Sequence, residues 1–265
     1  MSLDPSHPPK QVTRPLRFPS ILAESEDWIV VDKPPFMAVH PSKPEDRGTL
    51  WDHLNALLAY ERVNGGQVSI ITRLDRETSG VTLVAKSRGA ARSLCRQMEL
   101  HRIQKRYVAL VWGWPTDDCW QVDAPLCRQG LHRPSRIWLK QTGHPAGSPA
   151  STRFEVLARA EIPTSNGFRF SLVRAYPKTG RMHQIRVHLQ LSGHSIVGDK
   201  IYGPDEDCYL QFIETGWTPD LQSRLLLPRQ ALHAETLTLE ESGLSWSAPL
   251  PEDFGAFLAP ANPTP

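Results

Sequence analysis

Thr72-Arg73-Leu74-Asp75-Arg76-Glu77-Thr78-Ser79-Gly80 places a carboxylate between two arginines and closes on a small-residue turn, directly before the apolar run Val81–Ala85. Neighbouring cations favour the ionised form of Asp75, and an ionised aspartate serves as a nucleophile or a general base. The same charge pattern also suits an aspartate tied into a surface ion pair, so charge alone leaves both readings open.

A second dense stretch is Lys178-Thr179-Gly180-Arg181-Met182-His183-Gln184-Ile185-Arg186-Val187-His188, followed by Gly193-His194-Ser195-Ile196-Val197-Gly198-Asp199-Lys200-Ile201-Tyr202-Gly203. His183 and His188 stand five apart, a spacing that suits neither one helix face nor one strand face. This argues against a paired metal site and for structural histidines. The periodicity of His183–Leu191 is ambiguous: apolar residues alternate, yet Thr179 and Gly180 suit a helix start.

Around these stretches, short strands and helices alternate. Ser25–Asp32 reads as a strand ended by Pro34 and Pro35. Trp51–Tyr60 reads as a helix with Leu54, Leu57 and Leu58 on one stripe and Thr49 near its start. Val81–Ala85 and Arg106–Trp112 read as strands, Gly89–His101 as a helix between them, and Thr152–Ala158 with Phe168–Tyr176 as an antiparallel pair. The segment from Asp117 to Pro149 reads as a hairpin or loop made locally basic by Arg128, His132, Arg133, Arg136 and Lys140; contact with RNA phosphates and a solvated face both fit it. No internal repeat or linker divides the chain, which points to a single α/β or α+β domain. Residues 1–17 and 259–265 are expected as tails around a catalytic domain at 18–258.

Composition narrows the function classes. The chain has 265 residues, enough for a substantial core, and a formal net charge of +2, so any attraction to nucleic acid must come from local clustering of Arg and Lys. Cys95, Cys119, Cys127 and Cys208 are scattered without the close pairing of a metal motif, and are expected as free thiols in a reducing compartment. The proline-rich start lacks the apolar core of a signal peptide, and no run is long enough to span a bilayer. A soluble, cytoplasmic protein is expected.

Together, the two motif blocks resemble those of pseudouridine synthases of the RluA type. That family carries Arg-Leu-Asp, two variable residues and Thr-Ser-Gly; then Thr-Gly-Arg, one residue and His-Gln-Ile-Arg; then Gly-His, Gly-Asp and Tyr-Gly. Val31-Asp32-Lys33-Pro34, Val39-His40-Pro41, Lys105-Arg106-Tyr107 and Leu232-His233-Ala234 extend the match in family order, from about Phe18 to Phe257. The resemblance implies the pseudouridine synthase fold: α+β, with a mixed, largely antiparallel sheet in two halves, a central cleft and flanking helices. It also implies isomerisation of uridines in ribosomal or transfer RNA, with no metal or other cofactor, by a chain expected to be monomeric.

By the same resemblance, Asp75 matches the essential aspartate, which attacks the anomeric carbon or assists elimination of the base. Tyr107 matches the tyrosine that stacks on the target base and assists proton removal from carbon 5. Arg181 matches the arginine that pairs with the aspartate. Arg73 matches the arginine that fills the stack vacated by a flipped nucleotide, since chemistry at a glycosidic bond requires the base to leave the helix. Leu74, Ile185 and Arg186 complete the expected substrate-binding set, with Ile185 and Val187 as an apolar wall. One position departs from the family: Thr72 stands where a histidine is usual, which leaves the anchoring of the loop open. From its start, the chain is expected to lack the accessory RNA-binding domain of many relatives. The competing readings are a catalytically silent RNA-binding module, and a glycoside hydrolase, which needs a second carboxylate at a defined separation.

Overall fold

The computed structural model describes residues 18–162 and 168–258; the two expected tails, 1–17 and 259–265, lie outside them. Ten strands form one sheet. They are β1 (Ser20–Glu24), β2 (Trp28–Lys33), β3 (Ser69–Ile70), β4 (Ser79–Ala85), β5 (Ile103–Trp112), β6 (Cys119–Asp123), β9 (Ser151–Ile162), β10 (Phe168–Pro177), β11 (Leu232–Leu239) and β12 (Ser245–Ser247). A separate two-stranded sheet pairs β7 (Leu126–Arg128) with β8 (Gln141–Gly143). The helices are α1 (Leu50–Leu57), α2 (Ala59–Val63), α3 (Arg88–Glu99), α4 (Gln184–Leu191), α5 (Asp207–Thr215), α6 (Pro219–Leu225) and α7 (Glu252–Leu258).

The main path runs β1-β2-β4-β11-β5-β10-β9-β6, with β3 and β12 on the sides of β4 and β11. Every pairing is antiparallel except β4 with β11. β11 is therefore the seam between two antiparallel halves, and its register sets the site. Ala234 pairs with Gly80 on one side and with Tyr107 on the other. The end of the Asp75 loop and the tyrosine thus lie on one row across three strands.

Local sequence explains the elements. Every residue of β4 is buried, as expected of a strand covered on both faces. One face carries Val81, Leu83 and Ala85 against Leu94 of α3; Val84 on the other packs with Leu50, Leu54 and Leu58. Thr49 caps α1 with a reciprocal box, its hydroxyl accepting the Asp52 N–H while the Asp52 carboxylate accepts the Thr49 N–H. The expected Trp51–Tyr60 helix is divided: Leu58 leaves helical geometry at φ −97°, ψ 31°, because its buried side chain closes the α1 cluster while α2 turns away, with none of its own residues buried. The expected Ser25–Asp32 strand begins only at Trp28, as β2; residues 25–27 form the turn from β1, which was not expected, and there Ser25 Oγ accepts the N–H groups of Asp27 and Trp28.

Gly80 is the tightest point of the seam. Its φ is +113°, and a Cβ there would lie 2.2 Å from the Ala234 carbonyl oxygen. Gly80→Ala is expected to cost at least about 3 kcal/mol in urea unfolding, from backbone strain plus overpacking. Gly243→Ala, at φ +71° with open space around it, should cost only about 1 kcal/mol. Equal losses in the two variants would show that the close approach at the seam is not a constraint.

Candidate active site

The Asp75 loop is anchored from both sides. Thr72, at the departing position, is buried, and its hydroxyl accepts the Leu83 N–H of β4 at 2.9 Å. This hydrogen bond is how the loop is held without the usual histidine. Beyond the aspartate, the Thr78 N–H donates to the Asp75 carbonyl at 3.1 Å, closing the turn. Ser79 Oγ meets His233 Nδ1 of β11 at 2.9 Å. Beneath the loop, the Lys33 ammonium donates to the carbonyls of Pro34, Met37 and Arg76, which take all three of its protons. Burial pushes Lys33 down to about 7, with the Asp75 charge acting the other way. Glu77 turns from the cleft to Lys200, at 2.6 Å. It is therefore engaged as an ion-pair partner rather than as the second carboxylate a glycoside hydrolase would need.

Asp75 Oδ2 accepts Arg186 Nη1 at 2.8 Å and Gln230 Nε2 at 3.2 Å. Arg186 is buried, and its Nε and Nη2 grip Asp199 bidentately at 2.7 and 2.9 Å. Asp199, fully buried, also accepts the N–H groups of Ile201 and Tyr202, each at 3.0 Å. Burial alone would raise the Asp75 carboxyl; the Arg186 guanidinium and the hydrogen bonds from Arg186 and Gln230 outweigh it and hold the carboxyl below its ordinary value.

The arginine that reaches Asp75 is thus Arg186, which corrects the expectation for Arg181. Arg181 is exposed, and its Nε donates to the Pro149 carbonyl at 3.2 Å. The reason lies in α4. His183, in the left-handed region at φ 55°, precedes the helix, and the Gln184 amide secures its start. Gln184 Oε1 accepts from Thr179 Oγ1 and the Arg181 N–H, while Nε2 donates to the Ser151 carbonyl and Thr152 Oγ1. Arg186 falls on the first turn, pointing inward, and Arg181 is left outside. The helix also separates Ile185 from Val187. Ile185 lines the cleft, whereas Val187 packs against Leu126, Ile137 and Tyr202, so the wall expected of Val187 is not there. His188 is structural, bonded to Thr152 Oγ1 and the Ala124 carbonyl.

His183 faces the same carboxylate, with Nε2 3.9 Å from Asp75 Oδ2. The Tyr202 hydroxyl accepts the Gln141 N–H at 2.7 Å and meets His183 Nδ1 at 2.9 Å. Burial, reinforced by the Arg186 charge, lowers His183 to about 4, so the ring is neutral at neutral pH. A Tyr202 hydroxyl that accepts from Gln141 and donates to Nδ1 places the ring proton on Nε2, facing Asp75.

Asp75, Leu74, Arg73, Tyr107 and Ile185 open into one cleft of about 770 Å³. Lys105, Lys178 and Arg181 also line it, giving a basic rim around an apolar floor. Burial, and then the Asp75 charge, push the Tyr107 phenol well above its ordinary value, so it keeps its proton at neutral pH. Gln230, Asp199, His183 and Tyr202 were not among the sequence candidates for the site. Asp199 and Tyr202 were signalled only as members of the Gly-Asp and Tyr-Gly motifs, and Gln230 by nothing local.

Residues 27–191 match the family model described as RNA pseudouridylate synthase. The chain belongs to the RNA pseudouridylate synthase family. It is 39% identical over 247 residues to the ribosomal large subunit pseudouridine synthase D of Nitrosomonas europaea, covering 90% of this chain and 64% of that one. To the protein of the same name from Pseudomonas aeruginosa it is 35% identical over 240 residues, with 88% and 69% covered. The chain therefore spans about two thirds of the length of these synthases. The human RNA pseudouridylate synthase domain containing 4 shares the fold at a TM-score of 0.66 and 24% identity, over 90% of this chain and 91% of that one. Among the described residues, no helix is long and apolar enough to cross a membrane.

Two outcomes follow for this family member. Burial lowers His183 and His233 each to about 4 from an ordinary 6.5. The folded state then binds fewer protons than the unfolded chain between those values, so stability falls as pH drops from about 6.5 to about 4 and this contribution levels off below. Urea midpoints across that range check it, and His233→Gln should flatten the decline. Tyr202→Phe should cost about 1–3 kcal/mol by orphaning the Gln141 N–H, and ¹⁵N shifts of His183 should show the loss of a fixed Nε2–H tautomer.

Proposed function

We propose that this protein is an RNA pseudouridine synthase in which Asp75 is the catalytic carboxylate and ribosomal RNA carries the target uridine. The observation that carries the reading is an Asp75 carboxylate held ionised by Arg186 and Gln230 in a cleft shared with Tyr107. Relatives named as ribosomal large subunit synthases support the choice of RNA.

The reaction breaks the bond from C1′ to N1 of uracil, turns the base and forms a bond from C1′ to C5; the proton leaving C5 is matched by one gained at N1. No electrons are exchanged, so the chemistry calls for positioning and a carboxylate rather than a redox carrier. Asp75 serves as nucleophile at C1′ or as base in an elimination, and both routes need it ionised. Arg186 supplies that state. Tyr107 stacks on the extruded base and stays a protonated phenol in the free enzyme. Arg73, exposed on the rim, fills the vacated stack, where a guanidinium plane replaces base stacking. Leu74 and Ile185 keep the reacting end dry, which strengthens the Asp75–Arg186 attraction.

The test uses the full chain with large-subunit ribosomal RNA, with transfer RNA as the comparison, and maps pseudouridine at single-nucleotide resolution. Wild type is expected to modify ribosomal RNA, and Asp75→Asn to lose at least about 10³-fold in rate while remaining folded. RNA binding without turnover by the wild type would favour the silent binding module. Arg181→Met should weaken RNA binding a few-fold with kcat kept, because its guanidinium stands on the rim. A kcat loss in Arg181→Met as large as that of Asp75→Asn would overturn the assignment of Arg186.

A further inference from the structure

The β7–β8 hairpin brings together three side chains that the sequence keeps apart. Cys127 lies within β7, His132 ends the short 3₁₀ turn Gln129–Leu131, and His144 directly follows β8. The Cys127 sulfur and one ring nitrogen from each histidine all lie within 4.8 Å of one another. The two imidazoles stack, with centroids 3.6 Å apart and planes at 15°. His144 Nδ1 accepts the Ala146 N–H at 3.2 Å, and ligation through either ring nitrogen gives that bond up, because Nδ1 then either turns its lone pair to the ion or carries the ring proton.

We propose that Cys127, His132 and His144 form a binding site for a borderline-soft divalent metal ion, Zn²⁺ foremost, with water as the fourth ligand. One thiolate and two imidazoles are the donor set such ions prefer over hard cations. In a tetrahedral sphere, bond lengths of about 2.3 Å to sulfur and about 2.0–2.1 Å to nitrogen set the ligand atoms about 3.3–3.6 Å apart. The three atoms therefore need to close only modestly. His132 is exposed and can turn its ring edge toward the ion, which unstacks the pair. The surrounding basic residues do not bar a cation, because two of them are compensated: Arg136 pairs with Asp207 at 2.5 Å and Lys140 with Glu206 at 2.6 Å.

The hairpin has reason to be stapled. Its ladder is three residues per strand, and a long irregular segment separates the strands. Metal ligation at both ends of that segment converts binding energy into order. Gln141 on β8 donates the hydrogen bond that orients Tyr202 and, through it, His183. The ion would hold a support of the cleft while standing apart from the reacting groups.

The test is titration of the reduced, metal-free full chain with Co²⁺, followed by displacement with Zn²⁺. One equivalent of Co²⁺ should bind with a thiolate-to-cobalt absorption band, and Zn²⁺ should abolish it. The band should vanish in Cys127→Ser and persist in Cys95→Ser and Cys119→Ser, whose thiols are exposed elsewhere. Zn²⁺ affinity should fall at least about 10-fold in Cys127→Ser and in His132→Asn; the latter alters an exposed ring and leaves folding intact by circular dichroism. Absence of the band in wild type, its survival in Cys127→Ser, or a Zn²⁺ affinity indifferent to both variants would overturn the site.

Discussion

A single guanidinium lies between two carboxylates at the centre of this molecule. Arg186 is buried, and all three of its nitrogens donate: two to Asp199 and one to Asp75. A buried charge survives only when paired and hydrogen-bonded, so the geometry around it is tightly constrained. Asp199 must be in place, which requires the turn that offers it the Ile201 and Tyr202 N–H groups. That turn requires Gly198 at φ +79°, where a Cβ would fall 1.9 Å from the Arg229 carbonyl oxygen. Asp199 neutralises most of the arginine, and the remaining Nη1 is aimed at Asp75. The charge of Arg186 and its hydrogen bond then hold the proposed catalytic group below its ordinary value.

The sheet seam supplies the other half of the arrangement. β11 lies between β4, which follows the Asp75 loop, and β5, which carries Tyr107. Its neighbours to the N-terminal side, Arg229 and Gln230, extend the tie. Gln230 Nε2 reaches both Asp75 and Thr78 Oγ1, and Arg229 is held by Asp253 of α7. The loop, the tyrosine strand and α7 are thus fastened at one place, and the cleft opens where the two antiparallel halves meet.

Much of this was legible in the sequence. The strand of Tyr107, helix α3, the β9–β10 pair and the capping role of Thr49 follow from periodicity and capping chemistry, and the family motifs named Asp75. What was not legible depends on direction and distance. Arg181 and Arg186 belong to one motif, and only the helix starting at Gln184 decides which faces inward; an alternating apolar pattern could not reveal it. Ile185 and Val187 are separated for the same reason, being nearly opposite on a helix. Gln230 stands 155 residues from its partner Asp75, with no pattern to link them. The β7–β8 cluster of Cys127, His132 and His144 forms only through hairpin pairing, so its spacing matches no familiar metal motif.

The central claim is that Arg186 keeps Asp75 ionised. Its direct measurement is a ¹³C NMR titration of the Asp75 carboxyl, in wild type and in Arg186→Lys, which retains a charge for Asp199 but lacks the guanidinium fork. The account predicts that Asp75 titrates below the ordinary aspartate value of 3.8 in wild type and moves upward in Arg186→Lys. A carboxyl titrating above 3.8 in wild type, or one unmoved by the substitution, would contradict it.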